Sequence, residues 1–149
     1  HLIFMSPQGK TLTQQRVREL SQMENIAILC GHYEGVDERV LEEFVDEEVS
    51  LGDFVLTGGE IPAMAVADCI ARLIPGVLAE GSAEKESHSN LLLEYPQYTR
   101  PYEFHGKKVP DVLISGHHEN IDKWREESAK ELTQEKRPDL YEEYLRQGK

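Results

Sequence analysis

Cysteine is nearly absent from this chain: Cys30 and Cys69 are the only two in 149 residues. Both sit among apolar neighbours and are expected to be buried, reduced thiols, which excludes a disulfide-stapled secreted scaffold. Long hydrophobic runs are lacking as well. The most apolar stretch, residues 61–74, is too short to span a bilayer and carries Asp68 and Arg72. No secretory signal is visible, so a cytoplasmic protein with no membrane partner is expected. Positive charge is scarce: 16 Lys+Arg face 28 Asp+Glu, a net charge of −12, which at first sight argues against a nucleic-acid partner. The deficit is uneven. Residues 1–99 hold 6 basic against 17 acidic side chains (−11), whereas residues 100–149 hold 10 against 11 (−1). Any contact with an RNA backbone is therefore expected in the last third. His105, His117 and His118 have no partners at metal-ligand spacing, and no metal site is expected.

What is present suits an α/β fold. Hydrophobic residues make up 39% of the chain, enough for a packed core. Residues 1–5 and 26–30 form continuous apolar runs of the kind found in parallel strands covered on both faces. Further strand is expected at 48–51 and 54–56. Thr13 and Asp37 are placed to cap helices over 14–23 and 38–44. The helix at 61–74 is apolar nearly all round, so it must be buried in a core or in a subunit interface. After Pro75-Gly76 the periodicity stops, and residues 79–92 are expected to be a linker. Asn120 and Pro138 signal two helices, to about 132 and to 146, in a smaller, mostly helical second domain spanning 93–149. The first domain is expected to cover 1–78.

Glycine-rich loops follow each of the first three apolar segments: Met5-Ser-Pro-Gln-Gly-Lys10, Cys30-Gly-His-Tyr-Glu-Gly-Val-Asp-Glu-Arg39 and Ser50-Leu-Gly-Asp-Phe-Val-Leu-Thr-Gly-Gly-Glu-Ile-Pro62. Glycine lets a ligand approach the backbone, although many such loops are merely tight turns. Three at the ends of consecutive strands suggest one crevice. No lysine stands in a P-loop arrangement, and Glu34, Asp37, Asp53 and Glu60 would repel phosphate. A cationic or hydroxyl-rich ligand, such as a sulfonium or a ribose, suits them better.

These three loops, with Ile74-Pro-Gly-Val-Leu78, Leu92-Leu-Glu-Tyr-Pro-Gln-Tyr-Thr-Arg-Pro101, Val109-Pro110, Leu113-Ile-Ser-Gly-His117 and Trp124-Arg125, resemble the bacterial tRNA (guanine-N1-)-methyltransferase family, TrmD, of the SPOUT superfamily. The resemblance covers the whole chain, and it implies that roughly the family's N-terminal third is missing. The chain also opens on His1, already in a strand and without an initiating Met. The implied fold is a SPOUT-type trefoil-knot domain followed by a small helical domain. The knot is an exception to the rule that chains do not thread loops.

The implied activity is methyl transfer from S-adenosyl-L-methionine to N1 of the guanosine 3′ of the anticodon in tRNA. The implied assembly is a homodimer with active sites at the subunit interface. Carried over by position, the cofactor would be held by Met5, Ser6 and Pro7; by Gly31, Tyr33 and Glu34; by Ser50, Leu51, Gly52, Asp53, Phe54, Val55 and Leu56; and by Gly58, Gly59 and Pro62. The family's catalytic aspartate falls on Glu86, which keeps the carboxylate and adds a methylene, and its arginine falls on Arg72. A base at N1 and a cation near O6 are what this transfer requires. Viewed without the resemblance, Glu86 is a solvated loop charge and Arg72 a salt-bridge partner of Asp68. Arg100, Lys107, Lys108, Lys136 and Arg137 are the candidates for tRNA phosphates. The resemblance also associates the activity with magnesium, without a protein cage for it. Rival readings are another SPOUT RNA methyltransferase, or an inactive RNA-binding or dimerisation fragment.

Overall fold

The computed structural model describes residues 1–79 and 86–148. The chain folds as two compact units, His1–Ala83 and Glu84–Lys149. In the first, β1 (Leu2–Thr11), β2 (Ala27–Cys30) and β3 (Glu47–Ser50) form a parallel sheet in the order β2-β1-β3. Helices α1 (Gln14–Leu20), α2 (Glu38–Phe44) and α3 (Glu60–Ala71) alternate with the strands or follow them. Residues 3–6 of the central strand are buried in succession, as an apolar run in a covered parallel strand should be. Ile3 and Met5 join Leu20, Val49 and Val66 in one core.

The first strand runs further than expected. It continues through the Ser6–Gly9 segment, yet Met5 and Lys10 both pair with Val49 of β3, so the four residues between them bulge out of the ladder. Gly9 explains how the bulge closes: a Cβ there would lie 2.4 Å from the carbonyl carbon of Glu48 and 2.5 Å from the nitrogen of Val49. The loop expected after the strand is thus a bulge within it.

The predicted caps hold α1 and α2 in place. Arg16 N–H donates to Thr13 Oγ1 at 3.2 Å, and Arg39 N–H to Asp37 Oδ1 at 3.0 Å. The Arg16 guanidinium then spans to β3, donating to both carboxylate oxygens of Glu47 at 3.1 and 2.7 Å. The strand expected at 54–56 does not form. Phe54 N–H turns back to the Gly52 carbonyl at 2.9 Å, and among the described residues no strand pairs with 54–56. The apolar α3 is only partly covered within the first unit: Val66 is buried, but Ile61 is 61% and Met64 64% exposed. Cys30 and Cys69 are free and only half-buried.

The second unit contains a hairpin, β4 (Glu103–Phe104) with β5 (Lys107–Lys108), and α4 (Asp111–Ile114), none of which the sequence had signalled. Helices α5 (His118–Lys136) and α6 (Pro138–Arg146) follow. Asn120 lies inside the first turn of α5, because His117 rather than Asn120 is the capping residue. Pro138 does open α6. The core here is Leu92, Ala129 and Tyr144, with Thr133 fully buried. Thr133 Oγ1 donates to the Ala129 carbonyl at 2.6 Å and accepts from Leu93 N–H at 2.8 Å. Residues 80–85 of the expected linker lie outside the described residues. Residues 86–92 belong to the second unit, because Leu92 is buried in its core.

Candidate active site

Parallel strands present all their carboxyl ends at one edge of the sheet, and ligands of open α/β sheets sit outside that edge. The bulge in β1, the loop after β2 and the loop after β3 meet there around a cavity of about 290 Å³. Fifteen of the sixteen residues expected to hold the cofactor line it: Met5, Ser6 and Pro7 from the bulge; Gly31, Tyr33 and Glu34 after β2; Ser50, Leu51, Gly52, Phe54, Val55 and Leu56 after β3; and Gly58, Gly59 and Pro62 at the start of α3. Asp53 does not line it. Phe4, His32, Gly35, Val49 and Thr57 line it without having been expected to. Phe4 and Val49 are strand residues whose apolar character signals core and cavity floor alike. Arg39, the last residue of the second glycine loop, donates to both carboxylate oxygens of Asp37, at 2.9 and 2.6 Å.

Close packing, rather than unusual backbone angles, accounts for two of the glycines. A Cβ on Gly31 would lie 3.2 Å from the Phe4 ring. One on Gly59 would lie 2.7 Å from Cys30 Cα, although Gly59 has ordinary helical angles (φ −81°, ψ −6°). Gly59 N–H also donates to the Gly31 carbonyl at 3.2 Å, tying the start of α3 to the end of β2. Gly52 does need its glycine, with φ +154°. Ser50 Oγ closes that turn by donating to the Gly52 carbonyl at 3.0 Å and accepting from Gly52 N–H at 3.1 Å. Tyr33, fully exposed, is held in the left-handed region at φ 55°. Such backbone costs energy and concentrates at functional loops.

The electrostatics are mildly acidic. His32 Nε2 pairs with Glu60 Oε1 at the mouth of the cavity. Glu60's own backbone N–H, and then His32, hold its carboxyl below the usual carboxylate range. Burial, reinforced by Glu60, pushes the Cys30 thiol above its usual range. Among the described residues no lysine or arginine lines the cavity, and Glu34 is the one acidic side chain that does.

Neither proposed catalytic side chain is among the lining residues. Arg72 is half-buried at the C-terminal cap of α3, its backbone N–H donating to the Asp68 carbonyl at 3.0 Å. Glu86 belongs to the second unit and is half-buried in a turn. That turn is fixed by Ser89 N–H on the Glu86 carbonyl at 3.1 Å, His88 N–H on the Leu92 carbonyl at 2.9 Å and Glu94 N–H on Ser87 Oγ at 2.9 Å.

The basic candidates are all exposed in the second unit. Lys107 and Lys108 form β5, Lys108 lying 3.8 Å from Glu103. Lys136 ends α5, and Arg100 lies beside a second cavity. Arg137 is already engaged by both oxygens of Asp139, at 2.9 and 2.6 Å. Among the described residues no three His, Cys, Asp or Glu side chains cluster as a metal ion would require, and no helix is long and apolar enough to cross a membrane.

Residues 1–143 match the family model for tRNA (Guanine-1)-methyltransferase TrmD. The tRNA (guanine-N(1)-)-methyltransferase of Ruminiclostridium cellulolyticum is 62% identical over 141 residues, 94% of this chain and 60% of that protein. The enzymes of the same name from Lachnospira eligens and Halalkalibacterium halodurans are 60% and 57% identical over 146 and 142 residues, covering 97% and 95% of this chain and 62% and 58% of theirs. The chain therefore spans about three-fifths of the length of the curated relatives it matches. On the match across almost its whole length, this chain belongs to the TrmD family of tRNA (guanine-1)-methyltransferases.

Proposed function

We propose that the chain is the cofactor-binding and RNA-binding part of a tRNA guanine-N1 methyltransferase acting on the guanosine 3′ of the anticodon. The observation that carries this reading is the convergence of the β1 bulge and the loops after β2 and β3 on one cavity whose lining, among the described residues, has apolar walls, one carboxylate and no lysine. Such a lining suits S-adenosylmethionine: Phe54, Val55, Leu56 and Pro62 offer apolar surface to the adenine, loop backbone groups offer hydrogen bonds, and Glu34 tolerates a sulfonium. The sixteen cofactor residues are proposed as a set, with Asp53 the one member away from the lining. Bound there, the cofactor supplies an electrophilic methyl group.

In this proposal residues 1–78 hold the cofactor within a trefoil knot and residues 93–149 hold the tRNA. Glu86 takes the proton from guanine N1, and Arg72 stabilises the charge that builds toward O6. The target base must leave its stack to expose N1. Homodimerisation through α3 is supported by the exposure of Ile61 and Met64. Covering side chains of this size contributes roughly 1.5–3 kcal/mol each, a strong incentive for a partner surface.

The test is calorimetric titration of S-adenosylmethionine into the chain, with mass measurement of the oligomer. It is paired with mass-spectrometric detection of N1-methylguanosine in tRNA, using the chain and a chimera that adds a relative's N-terminal segment. Cofactor binding by a dimer, and methylation by the chimera, are the expected results. A folded chimera that binds no S-adenosylmethionine would refute the reading.

A further inference from the structure

The second cavity lies wholly within the C-terminal unit. Its volume is about 640 Å³, within the roughly 300–1,000 Å³ of small-ligand sites. Tyr98, Tyr102, Arg100 and Arg125 line it, and Val109 and Ile114 add apolar surface. Among the described residues no carboxylate lines it, although the chain as a whole carries −12. Tyr102, Arg125 and Tyr98 are held in position by neighbouring side chains. Tyr102 O–H donates to Asp111 Oδ1 at 2.8 Å. The Arg125 guanidinium lies 4.9 Å over the Tyr95 ring, and its Nη1 donates to Asp122 Oδ1 at 3.4 Å. Arg125 Nε is buried with no hydrogen-bond partner, an orphan donor of the kind that calls for an explanation. The Tyr98 ring, tilted against Trp124 with centroids 6.2 Å apart, is nearly half exposed, as is Tyr102.

Flat rings with accessible surface, two guanidiniums and no carboxylate together fit an anion that carries a π-face. We propose that this cavity is a subsite for one unpaired nucleotide of the bound RNA, its base against Tyr98 and Tyr102 and its phosphate held by Arg100 and Arg125. A paired base has both faces covered by its neighbours, so only an unstacked one can enter. The inference rests on the reading that RNA is the partner, and it adds a nucleotide contact separate from the methyl-transfer cavity.

The test is fluorescence anisotropy of the 149-residue chain with a labelled single-stranded RNA of anticodon-loop sequence, and with the same RNA annealed to its complement. Tyr98→Leu keeps apolar bulk but removes the flat ring. It should weaken single-strand binding on the order of 5- to 150-fold, the range for loss of one base–aromatic stack, without changing the salt slope. Duplex binding should not respond. Tyr98→Phe should bind as the original does. Arg100→Gln should lower the salt slope by about 0.7, the share of one phosphate on a single strand. Equal losses for single strand and duplex, or unchanged affinity in a folded Tyr98→Leu, would overturn the subsite. Failure of the methyltransferase reading shows separately, as absent S-adenosylmethionine binding alongside Tyr98-dependent RNA binding.

Discussion

Alanine at Gly59 and alanine at Gly58 should behave differently, although the two glycines are adjacent and both line the cavity at the strand ends. At Gly59 the new Cβ would sit 2.7 Å from Cys30 Cα and 2.9 Å from its Cβ. That is about 1 Å inside the ~3.5–4.0 Å optimum for carbon pairs. Cys30 cannot swing away, because it ends β2 and pairs with Met5 of the central strand. Either α3 or the strand edge has to move, and overpacking of this kind typically costs about 1–3 kcal/mol. The helical angles of Gly59 suit alanine, which returns roughly 0.4–1 kcal/mol by restricting the unfolded chain. A net loss of about 1–2 kcal/mol remains. At Gly58 the new Cβ would meet Glu60 Oε2 at 2.6 Å and the His32 ring at 3.2 Å. Both are ends of half-exposed side chains, and a surface pair is worth about 0–1 kcal/mol. Gly58→Ala should therefore be near neutral for folding. Thermal melts followed by circular dichroism should show Gly59→Ala lowering the Tm of the first unit by roughly 4–16 °C, at 4–8 °C per kcal/mol for a domain this size. Gly58→Ala should stay within about 3 °C. Equal melting of the two variants would refute the contact argument.

Glu86→Gln should reduce methyl transfer by roughly 10²–10⁴-fold while leaving S-adenosylmethionine affinity intact, and Glu86→Asp should remain active. Steady-state assays retaining more than about a tenth of kcat would remove Glu86 as the base. Lys136→Gln should lower the salt slope of tRNA binding by about 0.7–0.9, whereas Arg137→Gln should change it little because Asp139 already holds that guanidinium; filter binding giving equal slopes for both would contradict this. Burial and then Glu60 raise the Cys30 pKa, so its contribution to stability is complete below the ordinary thiol value of ~8.5 and is lost as pH rises through the folded value. Urea melts should show a drop in stability above about pH 9 that Cys30→Ser abolishes; an identical drop in the variant would exclude this thiol as its source.

What could be read from the sequence was local chemistry. Thr13, Asp37 and Pro138 signal helix starts because a cap is decided within three or four residues, and each stands where it was expected. The glycine segments were legible as the walls of one crevice for a similar reason: apolar runs ending in glycine put turns near strand ends, and a parallel sheet gathers those ends. Features that depend on a distant partner were not legible. Residues 54–56 have strand-forming side chains, but among the described residues no strand pairs with them, and Phe54 N–H bonds back to the Gly52 carbonyl. The 103–108 hairpin is too short for alternation to reveal it, although its turn at His105 and Gly106, with φ 50° and 77°, follows a recognisable Gly-containing sequence. Glu86 was expected in a linker because residues 80–90 are polar, whereas Leu92, a short way further on, is buried in the second core and draws the turn with it.

The apolar α3 shows where such a reading stops. Its composition demands cover on several sides, but composition cannot say whether the cover comes from the same chain. Here the sheet takes Val66 and Ile70 and leaves Ile61 and Met64 exposed. Pro62 on the same helix lines the strand-end cavity proposed for the cofactor, as do Phe54 and Val55, which are themselves largely exposed. A second subunit covering Ile61 and Met64 would press on the helix that walls the cavity, so dimerisation and cofactor affinity should be thermodynamically linked. Ile61→Lys, which places a charge on that surface without touching the sheet core, should weaken both together. Sedimentation and calorimetry on the one variant would show it, and a monomeric variant with undiminished S-adenosylmethionine affinity would separate the two.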